Sequence, residues 1–330
     1  MKQFLQKKAK LVFLCMLVLL TCTACANPRG RDGKTLADQI IASEETTIDA
    51  SKINYKDISD KKLKKEIKKN IKDGQYTIQP TTFKNSMSKG WFEGLIVWPI
   101  AQIINLISSK TDAGVGIILT TLLIQMLVFV FTRKSQMSTQ RMQEIQPEIQ
   151  KIQNKYKDKT DERSKMQMAQ EMQNIYQKYD IHPFGSMLIT FIQLPIMMGM
   201  YYATMRSVSV VCGSFMGISL AGTPLDGFKA FDIAYISIYV LMVIFYIVSM
   251  KLPQWLKKWQ DKKDNVKVKK YAQEETNPMA NSMNMSMYFM TAMICIMYIS
   301  WPMAMSFYWL VSSVIRVCQS LILHKVMNKK

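Results

Sequence analysis

Apolar residues are gathered into long runs in the C-terminal part of this chain, and polar or basic stretches separate most of them. A helix needs about 20 apolar residues to cross a bilayer. Five runs approach or meet that length, at about residues 114–132, 184–203, 232–250, 284–301 and 304–323. The pattern predicts an all-α membrane protein whose core, residues 110–330, is a five-span helical bundle.

A further apolar stretch, Trp91–Ile107, is short, and Glu93, Pro99, Gln102 and Asn105 interrupt it. Its tryptophans, Trp91 and Trp98, suit the headgroup zone of a bilayer. Residues 91–109 are therefore predicted to form an interfacial helix on the external face, with a sixth span as the alternative.

The polar stretch between the first two spans has helical periodicity. Apolar residues recur at three- and four-residue spacing in two stripes, Met142, Ile145, Ile149, Ile152 and Tyr156, then Met166, Ala169, Met172, Ile175, Tyr176 and Tyr179. The polar residues 157–161 between them suit a turn. Residues 134–182 are predicted to be a helical hairpin, which either stabilises the bundle or acts as a docking arm for partners.

Charge places these segments across the membrane. The chain is 49% hydrophobic with a net charge of +19, a balance that suits nucleic acid, a ribosome or anionic lipid. Basic residues follow the first, third and fifth runs, and they therefore favour the membrane over specific nucleic-acid binding. By the positive-inside rule, the hairpin, the loop 251–282 and the basic tail 324–330 are predicted to be cytoplasmic.

The N-terminus has the pattern of an export signal. Basic residues precede the short apolar run Leu11–Leu20, and Thr21–Cys25 then resembles a bacterial lipobox. We expect residues 1–24 to be a lipoprotein signal peptide and Cys25 to be lipidated, with an uncleaved anchor as the alternative. Residues 25–90 are then an external, flexible, Lys-rich tether of a multi-pass plasma-membrane protein. The tether is predicted to contain one short basic helix around residues 61–69, and to serve as a spacer or to contact anionic lipid.

The sequence contains no pattern for bond-making chemistry. Its six cysteines form no disulfide framework, and no Cys/His spacing indicates a metal. There is no Gly-rich phosphate loop, HExxH or pair of aspartates within the spans. The chain is predicted not to be an enzyme and to need no cofactor or metal.

Short motifs in a particular order carry a family resemblance. They are Gln146–Ile149, Ile152–Tyr156, His182–Gly185, Gln193–Ile196, Phe307–Trp309 and Gln319. Over residues 90–325 this order resembles the YidC family of membrane protein insertases, and the signal with its cysteine resembles the Gram-positive lipoprotein form.

That resemblance implies a function. Members carry a hydrophilic groove that receives polar segments of nascent membrane proteins and releases apolar segments into lipid. The implied partners are nascent membrane proteins, membrane lipid, the Sec translocon and the ribosome. A small-solute transporter or channel, and a membrane-anchored lipoprotein scaffold, are the competing functions.

The family position that matches Gln125 usually carries an arginine within the bilayer. Here Gln125 shares a helical stripe with Thr121 and offers no charge, but Arg316 lies in the fifth span. Arg316 is seven residues after Trp309, so both face the same way. We hypothesise that the groove charge has moved to Arg316. The alternative is that Arg316 snorkels to the inner headgroups or pairs with a backbone carbonyl.

Other polar residues complete the predicted groove. Ser312, Ser313 and Gln319 extend the stripe of the fifth span. Gln193 in the second span either forms a second wall or makes a hydrogen bond between helices.

Overall fold

The computed structural model describes residues 28–156, 159, 161–181, 183–263, 289 and 291–327. Helix is the main secondary structure of this part of the chain from Lys61 onward. The fold divides into two units, the first formed by Met1–Ile117 and Leu194–Ala221, the second by Ile118–Gln193 and Gly222–Lys330.

The N-terminal part of the first unit is built around a small two-stranded antiparallel sheet. Strands β1 (Thr46–Asp49) and β2 (Gln75–Ile78) pair antiparallel, with Thr46 opposite Ile78. Helix α1 (Lys61–Asn70) lies between them in sequence. It begins at Asp60, whose carboxylate accepts hydrogen bonds from the backbone N–H groups of Lys62 and Leu63.

This segment has a hydrophobic core, and the prediction of a flexible tether is therefore wrong for its described residues. The buried members include Ile48, Ile67 and Ile78, together with Val208 and Val211 from later in the chain. The isoleucines are too widely spaced in sequence to give a periodic signal. Only the pairing of β1 with β2 and the packing of α1 bring them together.

Further helices complete the first unit. Helix α2 (Phe83–Lys89) is followed by a π-helical turn (Glu93–Val97) and by α3 (Trp98–Ser108). The predicted interfacial stretch is thus helical, and Glu93–Ser108 is shorter than a spanning helix. Buried Asn105 of α3 donates to the Ile41 carbonyl at 2.9 Å and accepts from Ser207 Oγ at 2.6 Å.

Three helices of the described residues are long and apolar enough to cross a membrane. They are α4 (Ala113–Glu144), α10 (Ile233–Lys263) and α11 (Met303–Met327), which contain the first, third and fifth predicted spans. Helix α7 (Pro183–Arg206) contains the second predicted span but is not among the three. Residues 291–298 are helical within the fourth, and part of that run lies outside the described residues. The count of five spans therefore stays a prediction.

The stretch predicted as a hairpin contains two helices after the end of α4. Helix α5 (Gln146–Lys155) and helix α6 (Glu162–Lys178) are antiparallel. Lys155 Nζ bonds to Glu171 Oε1 at 2.5 Å, and Tyr179 OH donates to Glu148 Oε1 at 2.6 Å. Unlike the prediction, the first part of this stretch continues α4 as far as Glu144 without a break.

Short elements close the remaining connections. In the first unit, α8 (Val208–Cys212) precedes the two-residue strands β3 (Ser214–Phe215) and β4 (Ile218–Ser219). In the second unit, α9 (Pro224–Ala230) begins with a capping box formed by Thr223 and Asp226. Helix α10 then packs along α11.

Candidate functional site

A cavity of about 200 Å³ lies in the second unit among residues of α4, α7, α10 and α11. Four residues that the sequence predicted for a groove line this cavity, namely Gln125, Gln193, Arg316 and Gln319. The other polar residues of the lining are Gln136, Thr139, Gln140, Ser249 and Ser320. Most of the polar wall is thus neutral and amide-bearing.

Gln125 joins two of the helices that form the cavity. Its side chain is 5% exposed, and Nε2 donates to Ser312 Oγ at 3.2 Å. Thr121, one turn earlier on α4, is fully buried, so it lies beside the cavity lining rather than on it. The polar stripe of α4 is therefore used partly to contact α11.

Gln193 contacts α11 as well. Its Nε2 donates to the hydroxyl of Tyr308 at 3.1 Å, and Tyr308 is fully buried. Gln193 thus makes a hydrogen bond between helices, and it also lines the cavity. Tyr308 was not predicted as a site residue, although it lies inside the Phe307–Trp309 motif.

Arg316 is partly buried and is held by groups of neutral charge. Its Nη2 donates to Ser313 Oγ at 2.8 Å. Its guanidinium carbon lies 5.6 Å from the ring centre of Trp309 and 6.0 Å from that of Tyr246, within the range of cation–π attraction. No carboxylate of the described residues forms an ion pair with it. The cavity therefore has a cation whose charge is not neutralised by a described acidic residue.

Aromatic packing holds Trp309, one of the two rings that contact the Arg316 guanidinium. The ring of Trp309 stacks on Tyr298 with centroids 4.9 Å apart and 29° between planes. Tyr246 meets Trp309 edge-on at 6.3 Å. The guanidinium thus has a rigid apolar support on the side of Trp309, which limits its freedom to extend along the helix.

Sequence reasoning missed the part of the lining that follows Arg133. Gln136 and Gln140 of α4 were assigned to the cytoplasmic hairpin, but α4 continues as one helix and brings them to the cavity. A signal was present, since Thr132, Gln136 and Gln140 continue the stripe of Gln125 at helical spacing. Gln136 Nε2 bonds to Thr132 Oγ1 at 2.8 Å within that stripe.

The lining suits an unfolded polypeptide better than a metal or a reacting bond. Five glutamines line the cavity, and each side-chain amide offers both a donor and an acceptor, as a peptide group does. From Gln125 to Gln140 the lining follows α4 for about 22 Å at 1.5 Å per residue. No cluster of His, Cys, Asp or Glu suited to a metal occurs among the described residues.

Comparison with known proteins gives matches over most of this chain. The family model described as 60Kd inner membrane protein matches residues 105–330. The membrane protein insertase YidC 1 of Streptococcus pyogenes serotype M6 is 30% identical over 237 residues, which cover 72% of this chain and 75% of that protein.

Two further relatives are similar to a comparable extent. The membrane protein insertase MisCA of Bacillus subtilis strain 168 is 27% identical over 238 residues, covering 72% of this chain and 80% of MisCA. YidC 1 of Listeria monocytogenes serotype 4b is 29% identical over 257 residues, covering 77% of this chain and 78% of that protein. The family match includes every helix that lines the cavity.

Proposed function

Because this chain belongs to the YidC family of membrane protein insertases, we propose that the cavity lined by Gln125, Gln193 and Arg316 is its insertion site. The polar segment of a nascent membrane protein enters the cavity, and the adjoining apolar segment moves into lipid. The relatives are named as insertases, so the transporter and scaffold alternatives are set aside.

The physical barrier to insertion is desolvation. Each peptide or polar group left unsatisfied in hydrocarbon costs several kcal/mol. The glutamines of the cavity offer replacement hydrogen bonds to a passing main chain without regard to its sequence. The concentration of amide side chains on one wall is the observation that carries this proposal.

We assign the groove charge to Arg316. Family members usually place an arginine at the position of Gln125, and here Gln125 and Arg316 line the same cavity. Support comes from the aromatic rings that hold the guanidinium and from the lack of a paired carboxylate among the described residues. A cation in this place attracts acidic residues of the translocating segment.

The setting of the site is also proposed. The chain is a multi-pass bacterial membrane protein, and the basic flanks favour a cytoplasmic position for α5, α6 and the C-terminal tail. Those segments are the proposed contacts for the ribosome, and the Sec translocon is the proposed partner in the membrane. Cys25 lies outside the described residues and is the proposed lipid anchor.

Photocrosslinking tests the insertion site. A crosslinking amino acid is placed at position 125, 136 or 316, and a ribosome-stalled nascent chain with one apolar span is presented. We expect crosslinks from all three positions to the polar translocating segment. Val130 of α4 and Ile322 of α11, which are 73% and 56% exposed, serve as matched controls that should crosslink to lipid or to the apolar span.

The outcomes separate the two parts of the proposal. Crosslinks from positions 125 and 136, with none from position 316, would support the insertion site but show that Arg316 does not contact the polar segment. If the control positions capture the polar segment as efficiently as the cavity positions, the cavity is not the insertion site.

A further inference from the structure

One short helix carries the whole excess of positive charge in residues 28–90. Helix α1 has six lysines and one acidic residue, Glu66. The rest of residues 28–90 contains eight basic and eight acidic residues and is therefore neutral. The charge of this part of the first unit belongs to one element rather than to its surface in general.

The lysines of α1 are arranged on one side. At 100° per residue, five of them fall within an arc of roughly 120°. These five, Lys61, Lys62, Lys65, Lys68 and Lys69, are all exposed. Leu63 and Ile67 lie on the opposite side, and Ile67 is buried in the hydrophobic cluster of the first unit. Packing of that apolar side holds the lysine face outward.

Opposite charge is scarce beside the five lysines, since Glu66 is the one acidic residue of α1. None forms an ion pair with a described carboxylate, and only the sixth lysine, Lys64, is engaged, through its Nζ and the carbonyl of Lys56. Like charges at helical spacing destabilise a helix. A face built in this way is stabilised by an anionic partner.

Helix α1 is packed against residues that continue into apolar segments of the chain. Ile67 shares its cluster with Val208 and Val211, which follow α7 directly after Arg206. After β2 the chain continues into the apolar stretch 91–108, in which Trp91 and Leu95 are exposed. The hydrophobic cluster that holds α1 is thus joined along the chain to apolar segments. The attraction of lysine to an anionic bilayer acts within about 10 Å of the surface.

We propose that the lysine face of α1 binds anionic phospholipid headgroups of the membrane in which the chain sits. The five ammonium groups form a diffuse array of point charges, which fits a mobile lipid surface better than one shaped ligand. The proposal does not depend on the insertion site, because every residue that carries it lies in the first unit.

Amine footprinting of the full chain tests this inference. The protein is placed in nanodiscs of pure phosphatidylcholine, or of phosphatidylcholine mixed equally with phosphatidylglycerol, and the acetylation rate of each lysine is measured by mass spectrometry. We expect the five α1 lysines to react about threefold more slowly in the anionic discs, and high salt to remove the difference.

A pair of variants identifies the helix as the cause. Lys65→Gln/Lys68→Gln should abolish most of the protection at the remaining α1 lysines. The matched pair Lys72→Gln/Lys84→Gln removes two exposed lysines of the same unit and should leave it unchanged. Glutamine is a good helix former, so α1 is retained.

Two results would overturn the proposal. Equal acetylation rates in the two kinds of disc would mean that the lysine face does not contact anionic lipid. Protection that arises in phosphatidylcholine discs on addition of soluble polyglycerolphosphate, with no effect of phosphatidylglycerol, would assign the face to a phosphate polymer instead.

Discussion

Gln125 of α4 donates a hydrogen bond to Ser312 of α11 at 3.2 Å, one helical turn from Arg316. Gln125 stands at the position of the usual family arginine, and Arg316 lies about one turn along α11 from the hydrogen-bond partner of Gln125. Both line one cavity. The groove charge that we propose for Arg316 therefore lies in the cavity that Gln125 also lines.

The first prediction follows from that proximity. Arg316→Gln should lower insertion of a client whose translocated segment is acidic by about fivefold, as expected for loss of about 1 kcal/mol of attraction in a wet site. A client with glutamines in place of its acidic residues should be affected much less. The double variant Gln125→Arg/Arg316→Gln should restore insertion, as measured by protease protection. Equal losses for both clients would make Arg316 a structural residue.

The second prediction concerns the glutamines with which α4 lines the cavity. Gln136→Leu/Gln140→Leu removes two hydrogen-bonding groups from the cavity and should reduce insertion of neutral polar segments about 30-fold, at about 1 kcal/mol for each lost bond. The fold should be retained because both side chains are replaced by apolar ones of similar length. Val130→Ala on the exposed side of α4 is the control and should insert normally. An unchanged rate for the double variant would contradict a role of these glutamines.

The third prediction concerns a buried ion pair in the first unit. Arg206 is 3% exposed and pairs with Glu93. Glu93→Gln leaves an uncompensated buried cation and should destabilise the protein by about 3 kcal/mol, whereas Glu93→Gln/Arg206→Met should recover most of the loss. Thermal unfolding in detergent measures both. Lys155→Gln breaks a solvent-exposed pair with Glu171 and should shift unfolding very little.

The fourth prediction concerns the pH dependence of the α5–α6 pair. Hydrogen bonds from Lys155 and Tyr156 hold the pKa of the Glu171 carboxyl below its ordinary 4.5. The backbone N–H of Ser164 likewise lowers the pKa of Asp161, which caps α6. A lowered pKa in the folded state gives stabilisation that is present above the ordinary pKa and is lost as pH falls below it.

Hydrogen exchange checks this pH dependence. Amide protection in α5 and α6 should be retained from pH 7 to 5. The stabilisation from Glu171 should be lost as pH falls below its ordinary pKa of 4.5, and that from Asp161 only as pH falls below its ordinary pKa of 3.8. Glu171→Gln should show weaker protection at pH 7 and a smaller loss in acid. Protection that increases on acidification would have the wrong sign for this explanation.

The fifth prediction concerns the N-terminus. Cys25→Ser should abolish incorporation of labelled fatty acid, while Cys22→Ser, three residues earlier, should retain it. Both variants should stay in the membrane fraction, because the three apolar helices α4, α10 and α11 do not depend on the anchor. Labelling of Cys25→Ser at the normal level would exclude lipidation at this cysteine.

The sequence by itself determined the class of this protein and the positions of its longest helices. Hydropathy over about 20 residues is a local property, because a spanning helix satisfies all of its backbone hydrogen bonds within itself. The predictions of α4, α10 and α11 therefore needed no knowledge of their neighbours, and the family was evident from motifs with a fixed order. The helical stripe also placed Trp309 and Arg316 on one face.

Only the tertiary structure decided what depends on contacts between distant residues. The isoleucines of residues 28–82 carry no periodic signal, and a core exists there only because β1, β2 and α1 pack together with Val208 and Val211. In the same way, the polar stripe of one helix does not show which neighbouring helix it contacts. Gln125 reaches Ser312, Gln193 reaches Tyr308, and Arg316 lies against Trp309 and Tyr246 because α4, α7, α10 and α11 converge. Polar residues within a bundle select their partners through packing, and packing is not encoded in any single segment.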